Sequence, residues 1–119
     1  MRIRSITCFA SPNQPGFGRA LQQLKDLSGF CKEEIQKTGW EVQTARLATT
    51  SFGLYTTPAN RIDGIRELEE KSADAGFNYL SVGPARLTQP EEYEIIPEIL
   101  ANTENVFVNA FLSHHTRGI

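Results

Sequence analysis

The chain has 119 residues, of which 39% are hydrophobic and 22% charged, and a formal net charge of −2. These values fit one soluble globular domain, of a size that buries roughly two-thirds of the surface its unfolded chain exposes. They exclude nucleic acid and anionic membranes as expected partners, because a mildly acidic chain offers a polyanion no attractive field. No apolar run approaches the roughly 18 residues of a membrane-spanning helix, so no membrane association is expected.

The beginning of the chain and its cysteine content favour a cytoplasmic protein. Residues 1–4 lead directly into a strand-like pattern rather than into the apolar core of a signal peptide. Two cysteines, Cys8 and Cys31, are too few for a disulfide framework and are typical of buried small hydrophobic residues. A reducing compartment is therefore expected.

Strand-like and helix-like segments alternate along the chain. Segments rich in β-branched or aromatic residues predict strands, and apolar residues spaced three and four apart predict helices. The resulting order, β-α-β-α-β-α-β, favours an α/β fold with a mainly parallel sheet and right-handed crossovers. The predicted strands are 2–9, 40–49, 79–83 and 105–111, and the predicted helices are 17–38, 61–75 and a third that begins near residue 88.

Local signals predict how these helices begin, break and face the core. Asn60 is expected to cap the second helix, and Thr88 with Glu91 forms a capping-box pattern ahead of the third. Pro97 is expected to kink the third helix or to divide it, because proline cannot donate a hydrogen bond to the preceding turn. The apolar stripe of the first helix is predicted to consist of Ala20, Leu24, Leu27, Cys31 and Ile35.

The predicted strands end in small or polar residues, at the edge where parallel α/β proteins bind ligands. Thr49 begins a run of hydroxyls that either binds phosphate or carboxylate oxygens or has no function, and the following loop, 50–59, is long for an α/β connection. Gly83 either lets the backbone approach a ligand or only begins a tight turn. His114 and His115 lack metal-ligand spacing, so no metal site is predicted, and one of them is a candidate general acid or base.

One face of the predicted sheet carries three polar residues among its strands. Alternation places Ser81 and Asn109 opposite the aliphatic side chains of their strands, where they either hold a polar ligand or are structural groups with satisfied hydrogen bonds. Arg46 lies in the middle of the second strand. It binds an anion, belongs to an internal ion pair, or faces solvent from an edge strand, since an unpaired buried charge costs several kcal/mol.

Three segments of the chain resemble one protein family. They are MRIRSIT at 1–7, WEVQTARLAT at 40–49 and DAGFNYLSVGP at 74–84. In this order they are similar to the N-terminal part of the uncharacterised family called domain of unknown function 711, whose members are much longer. The resemblance spans essentially the whole chain. It implies part of a larger α/β barrel, related by fold to glycyl radical enzymes such as pyruvate formate-lyase.

The resemblance implies no reaction and no cofactor. The glycyl radical of those enzymes belongs to a C-terminal loop outside this sequence, and neither cysteine here matches their paired active-site cysteines, so radical chemistry is not carried over. A barrel of that kind would place Arg46, Ser81 and Asn109 near an interior site. Residues 1–119 are then either a single α/β domain or the N-terminal fragment of a larger barrel.

Two hypotheses of function follow. In the first, an enzyme-like domain binds a small anionic metabolite through Arg46, with Ser81 and Asn109 orienting it and Thr49 and Gly83 as further ligand-binding candidates at the strand ends. This requires Arg46 to be buried, to line a pocket with Ser81 or Asn109, and to be free of an internal carboxylate such as that of Glu67. In the second, a non-enzymatic assembly or regulatory subunit forms a homo-oligomer, or binds a partner chain, through an exposed sheet edge.

Overall fold

The computed structural model describes residues 2–110 as an alternation of strands and helices. Its element order is β-α-β-α-β-α-β, with the third crossover made of two short helices, so the predicted α/β class is confirmed. Within the described residues, none of the helices combines the length and apolarity needed to cross a membrane. The strands are β1 (Arg2–Ala10), β2 (Glu41–Thr49), β3 (Tyr79–Ala85) and β4 (Val106–Ala110), and the helices are α1 (Phe17–Lys37), α2 (Arg61–Asp74), α3 (Pro90–Glu94) and α4 (Ile96–Ala101), with a 3₁₀ turn at Phe52–Leu54.

The four strands form one parallel sheet in the order β1-β2-β3-β4. Each helix packs against the same side of this sheet, because Leu21 of α1, Ile65 of α2 and Ile99 of α4 join one core cluster with the strands. The burial of that cluster supplies the main stabilisation of the fold, at about 25 cal/mol for each Å² of apolar surface removed from water. Its strand members are Cys8, Ala45, Leu47, Leu80, Val82, Ala85 and Val106.

The other side of the sheet is not covered by any helix of the described chain. Two aromatic side chains stand on it, Phe9 with 75% of its surface exposed and Phe107 with 50%. We call this side the open face. From the strand register and the alternation of side chains, its part around Arg46 and toward the strand ends includes Thr7, Phe9, Arg46, Ala48, Tyr79, Ser81, Phe107 and Asn109.

The inner stripe of α1 differs in part from the prediction. Ser28 is buried at 5% exposure, whereas Leu27 is 53% exposed. Both residues keep a spacing of three or four from Leu24, so the sequence pattern allowed either one to face the sheet. The structure selects the smaller side chain, which lets the helix approach the strands closely.

Two helix starts also differ from the sequence signals. Asn60 occupies the N-cap position of α2 but makes no cap hydrogen bond, because its Oδ1 accepts from the backbone N–H and the hydroxyl of Thr57. The capping box predicted at Thr88 and Glu91 is wrong. Helix α3 begins at Pro90 without a side-chain cap, and Pro97 lies just inside α4, so the predicted division of the third helix is confirmed.

A bulge lets β3 continue past its predicted end. Gly83 has a φ of 75°, and the pairing of β3 with β4 shifts register between Ser81 and Pro84. A Cβ on Gly83 would lie 2.7 Å from the backbone nitrogen of Ser51, so only glycine allows β3 to pass this close to the chain leaving β2. The Ser51 hydroxyl donates to the carbonyl of Pro84 at 2.6 Å and fixes this contact. Gly83 and Pro84 therefore mark the point inside β3 at which this strand contacts the chain that leaves β2.

The contribution of the close approach at Gly83 to stability can be measured by comparison with Gly76, where glycine is required only by the backbone conformation. Gly76 also has a positive φ, of 90°, but no atom lies within 4 Å of a Cβ added there. We expect Gly76→Ala to lower the free energy of unfolding by about 1–2 kcal/mol, the cost of a left-handed L residue. Gly83→Ala should lose roughly 1–3 kcal/mol more from overpacking, as read from urea unfolding curves. Equal losses for the two variants would contradict this reading of the bulge.

Candidate functional site

Arg46 rests on two aromatic rings of the open face. Its Cζ atom lies 5.5 Å from the ring centre of Tyr79 and 5.7 Å from that of Phe107. The two ring centres are 5.4 Å apart, and their planes are tilted by 56°. The Arg46 Cζ atom and the two ring centres form a nearly equilateral triangle. The guanidinium therefore lies in the notch above both rings rather than between them. Each contact of this cation–π kind contributes about 0.5–2 kcal/mol.

The sheet register explains how the two rings reach Arg46. Tyr79 of β3 is the direct partner of Arg46 on β2, and Phe107 of β4 is the partner of Ser81, two residues further along β3. Because neighbouring strands lie about 4.8 Å apart, an arginine side chain is long enough to cross β3 and touch both rings. The long side chain thus runs across the sheet.

The charge of Arg46 has no carboxylate partner among residues 2–110. Glu67, the acidic residue considered as a partner, pairs instead with Lys71 on α2 at 3.2 Å. The Arg46 Nε is enclosed and donates to no acceptor in the described chain, which costs roughly 1–3 kcal/mol for a buried polar group. Since β2 lies between β1 and β3, the edge-strand explanation of Arg46 is wrong. Arg46 is half-buried and unpaired.

Ser81 and Asn109 share the open face with Arg46. Ser81 is half-buried between its register partners Ala48 and Phe107, and Asn109 is exposed opposite Pro84. Both side chains lie within two strand spacings of β2, which is about 10 Å. Arg46, Ser81 and Asn109 therefore place one cation and two neutral hydrogen-bonding groups on the same face, and none of the open-face residues named above carries a carboxylate.

Thr49 does not lie on the open face, because strand alternation places it with Leu47 on the helix-covered side of β2. Its hydroxyl is 2.7 Å from the Tyr55 hydroxyl and also reaches the carbonyl of Ser81 at 3.3 Å. Burial raises the pKa of Tyr55 to about 12, although its hydrogen bond with Thr49 acts in the opposite direction. Gly83 packs against the backbone of residues 50–51, as described above. Both predicted ligand-binding residues thus have neighbours inside the protein, and His114 and His115 lie outside the described residues.

A shallow groove of about 200 Å³ lies near the carboxyl ends of β1 and β2. Its wall is mostly apolar, with the register partners Phe9 and Ala48 side by side on the two strands. The groove continues the open face beyond Arg46 toward the strand ends. It is lined by Phe9, Ala10, Ser11, Ala48, Thr49 and Thr50.

A buried ion pair that the sequence analysis missed lies after β3. The side chain of Glu92 is completely buried, and its Oε2 lies 2.6 Å from Nη2 and 2.8 Å from Nε of Arg86. The backbone N–H of Arg86 donates to the other carboxylate oxygen at 3.1 Å. Burial alone raises the pKa of Glu92, but the hydrogen bonds from Arg86 and the charges of Arg86 and Arg61 outweigh it. The pKa of Glu92 is therefore lowered from its ordinary value of 4.5.

Arg61, the first residue of α2, completes this group of charges. Its side chain is 5% exposed, its Nε donates to the Thr56 hydroxyl at 3.0 Å, and its Cζ lies 5.4 Å from the ring centre of Phe52. Gly53 packs directly on the ion pair, because a Cβ there would collide with the Glu92 carboxylate and the Arg86 guanidinium. We call Arg61, Arg86 and Glu92 the strand-end cluster.

The sequence carries no strong signal for this cluster. Glutamate at the start of a helix is usually solvated, and the six-residue spacing between Arg86 and Glu92 matches neither helical nor strand periodicity. A weak signal is Gly53, because a glycine inside a long loop can mark a place where the backbone packs closely against another group. In the described residues, no group of histidine, cysteine, aspartate and glutamate has the arrangement of a metal site.

Comparison with known proteins places the chain in one family. Residues 1–119 match the family model described as Uncharacterised ACR (DUF711), so the chain belongs to this family. No curated protein matches the chain. The relation by fold to glycyl radical enzymes, which the sequence resemblance implied, stays a prediction.

The lowered pKa of Glu92 makes its contribution to stability depend on pH. A carboxyl group whose pKa is lower in the folded state stabilises the fold above its unfolded pKa, near 4.5. This contribution is lost as the pH falls through the folded pKa. At pH 7 we expect Glu92→Gln to lower the free energy of unfolding by about 2 kcal/mol, less than for a fully buried pair because Arg86 reaches solvent.

The difference in free energy of unfolding between Glu92→Gln and the unsubstituted protein should shrink as the pH falls below 4.5. Chemical unfolding at pH 7, 5, 4 and 3 measures it. Glu91→Gln is the matched control, since Glu91 is the exposed neighbour on the same helix. A pH-independent difference would show that Glu92 stabilises the fold by packing and not by charge.

Proposed function

We propose that this member of the DUF711 family binds a small anionic ligand on the open face of its sheet, with Arg46 as the anion-binding group. The observation that supports this most is the state of the Arg46 guanidinium. It is half-buried, held against Tyr79 and Phe107, and lacks a carboxylate partner among residues 2–110. The charge and its orientation are thus in place before any ligand arrives.

The aromatic notch favours an end-on contact with the ligand. The Nε of Arg46 is enclosed, whereas neither Nη group is enclosed or hydrogen-bonded within the described chain. Two parallel N–H donors on the outer edge of a guanidinium match the paired oxygens of a carboxylate or phosphate. The aromatic rings hold the arginine without competing for these donors.

Ser81 and Asn109 supply neutral hydrogen-bonding groups on the same face. They would orient a ligand whose charged group is bound by Arg46, and their distance limits that ligand to roughly two strand spacings, or about 10 Å. In a larger barrel of the kind that the resemblance implies, the open face would line the interior. Exclusion of water there would strengthen each charged contact.

A cytoplasmic location belongs to the same proposal. Cys8 and Cys31 are both free thiols, which suits a reducing compartment. Burial, and secondarily the neighbouring Cys31, raises the pKa of the Cys8 thiol, so it is a poor nucleophile. The proposal assigns a binding role and no redox role to the cysteines.

Replacement of Arg46 tests the anion-binding proposal. We expect small carboxylates and inorganic phosphate to raise the melting temperature of the protein, and Arg46→Met to abolish the rise for ligands bound at this site. Methionine keeps the apolar contact with the rings but removes the charge. Because one charge-assisted hydrogen bond contributes about 1.5–3 kcal/mol, affinity should fall at least about tenfold.

Arg4→Met is the matched control, since Arg4 is an exposed arginine in the neighbouring strand β1. It should leave both the thermal shift and the calorimetric affinity unchanged. Equal effects of Arg4→Met and Arg46→Met would indicate only a general loss of positive charge and would contradict a site at Arg46.

An assembly role is the second candidate function. In the described sheet β1 has β2 as its single neighbour, and this edge strand is nine residues long. Long edge strands with unpaired backbone groups pair readily with another chain. The exposed ring of Phe9 lies near the carboxyl end of this edge. These features support pairing with a second copy or with a partner chain.

Light scattering coupled to size-exclusion chromatography tests the assembly role. The proposal predicts a dimer or larger species that dissociates on dilution over about 1–100 µM, a range typical of moderate affinity. Phe9→Ser should weaken the assembly, whereas Arg46→Met should leave it intact. A monomer at every concentration would rule out self-assembly.

A further inference from the structure

We propose that the strand-end cluster is a second anion site, in which Arg61 binds the carboxylate or phosphate group of a small ligand. This site is distinct from the open face. It lies where the chain leaves β2 and β3, on the edge of the sheet at which parallel α/β proteins bind their ligands. It involves the loop of residues 50–60, the start of α2 and the start of α3.

The cluster carries one positive charge more than its own carboxylate neutralises. Arg61 and Arg86 contribute two guanidinium groups, and Glu92 contributes the single buried carboxylate. Both oxygens of Glu92 accept hydrogen bonds from Arg86, so Arg86 rather than Arg61 is the hydrogen-bonding partner of this carboxylate. The nearby acidic residues Glu91 and Asp63 are exposed, where water screens their charge. The excess charge belongs to Arg61.

The hydrogen bonds of Arg61 point to a missing acceptor. A buried arginine with a purely structural role uses most of its five N–H donors on protein acceptors. Arg61 uses only Nε, which donates to Thr56, and makes no Nη hydrogen bond to any residue of the described chain although it is 5% exposed. Its Nη atoms are not fully enclosed either, since the enclosed unpartnered side-chain atoms among residues 2–110 are the Arg46 Nε and the Ser72 Oγ. The Nη groups therefore retain some solvent contact and have no acceptor among residues 2–110.

The surroundings of Arg61 hold it in a fixed position. The Thr56 hydroxyl accepts from Arg61 Nε and donates its own proton to the carbonyl of Phe52 at 2.7 Å, so its orientation is set. The Phe52 ring, which is completely buried, supports the guanidinium. A fixed arginine loses little conformational entropy when it binds an anion. Because only 5% of the Arg61 surface is exposed, a small group such as one carboxylate or phosphate is the ligand that we expect.

Nuclear magnetic resonance of the 119-residue chain tests the site without a variant. The Nε–Hε signal of Arg61, assigned through bonds, is followed while inorganic phosphate or acetate is added at constant ionic strength. We expect a saturable shift of this signal with at least one of the two anions. Saturation with phosphate alone identifies a phosphate site, and saturation with acetate identifies a carboxylate site.

Variants then locate the binding. Arg61→Gln should weaken the affinity about tenfold or more, as expected for loss of a charge-assisted contact. Arg66→Gln, an exposed arginine on the same helix, should not change it. Arg46→Met should also leave it unchanged, so failure of the open-face site and failure of this one are separate results.

Either of two results would overturn the proposal. One is the absence of a saturable shift at Arg61 with both anions in the original protein, which remains decisive if Arg61→Gln does not fold. The other is an equal loss of affinity in Arg61→Gln and Arg66→Gln. A shift at the Arg46 signal alone would support the open-face site and reject the strand-end site.

Discussion

The one-sided packing of the parallel sheet is the constraint on which the other features depend. Each strand lies beside its predecessor, so crossovers of the same hand return the chain to the same side of the sheet every time. All the buried apolar side chains of the strands then collect on that side, against the single layer of helices formed by α1, α2 and α4. The opposite side is left to side chains such as Arg46, which a second helical layer would have had to enclose. The strand ends meet at a single edge, where the chain gathers Arg61, Arg86 and Glu92.

Among residues 2–110, Arg46 and Arg61 are the two arginines that are at least half-buried and lack a carboxylate partner, and the protein supports them in related ways. Arg46 rests on Tyr79 and Phe107, and Arg61 rests on Phe52, so in both cases an aromatic ring supports the cation. A ring offers its negative face without consuming an N–H donor, whereas a carboxylate consumes two or three. Arg86 shows the alternative, since Glu92 engages both its Nε and its Nη2. Support by aromatic rings leaves the Nη donors of Arg46 and Arg61 without a protein acceptor among residues 2–110, whereas the ion pair with Glu92 engages Arg86.

The sequence predicted the features that depend on local periodicity. Spacings of three and four placed Leu24, Cys31 and Ile35 of α1 at positions that are half-buried in the structure. Strand alternation separated Arg46 from its buried neighbours Ala45 and Leu47. These signals are local, because helix and strand geometry alone decide which side chains share a face. The boundaries of β2 and α2 were accordingly predicted to within one residue.

Features that depend on contacts between distant segments were not predicted. The continuation of β3 through Gly83 requires the backbone of residues 50–51 at that point, and nothing in a Gly-Pro pair reveals such a neighbour. The choice of Ser28 over Leu27 depends on the rotation of α1 against the sheet. The pairing of Arg46 with Tyr79 and Phe107 needed the strand register, and the burial of Glu92 needed the position of Arg86. Strand alternation identified Arg46 as a candidate, but only the folded chain shows what holds it and that Arg61 has the same kind of support.

The order of the strands in the sheet also affects how the chain can acquire its structure. Because β2 joins β1, β3 joins β2 and β4 joins β3, every strand pairing links elements that are neighbours in sequence. The loops to be closed are about as short as parallel pairing permits, which favours rapid folding. A nascent chain emerging from the ribosome can add one strand and one helix at a time to a growing edge, without waiting for a distant segment to be synthesised. The same consecutive order that leaves one face uncovered thus allows folding to keep pace with translation.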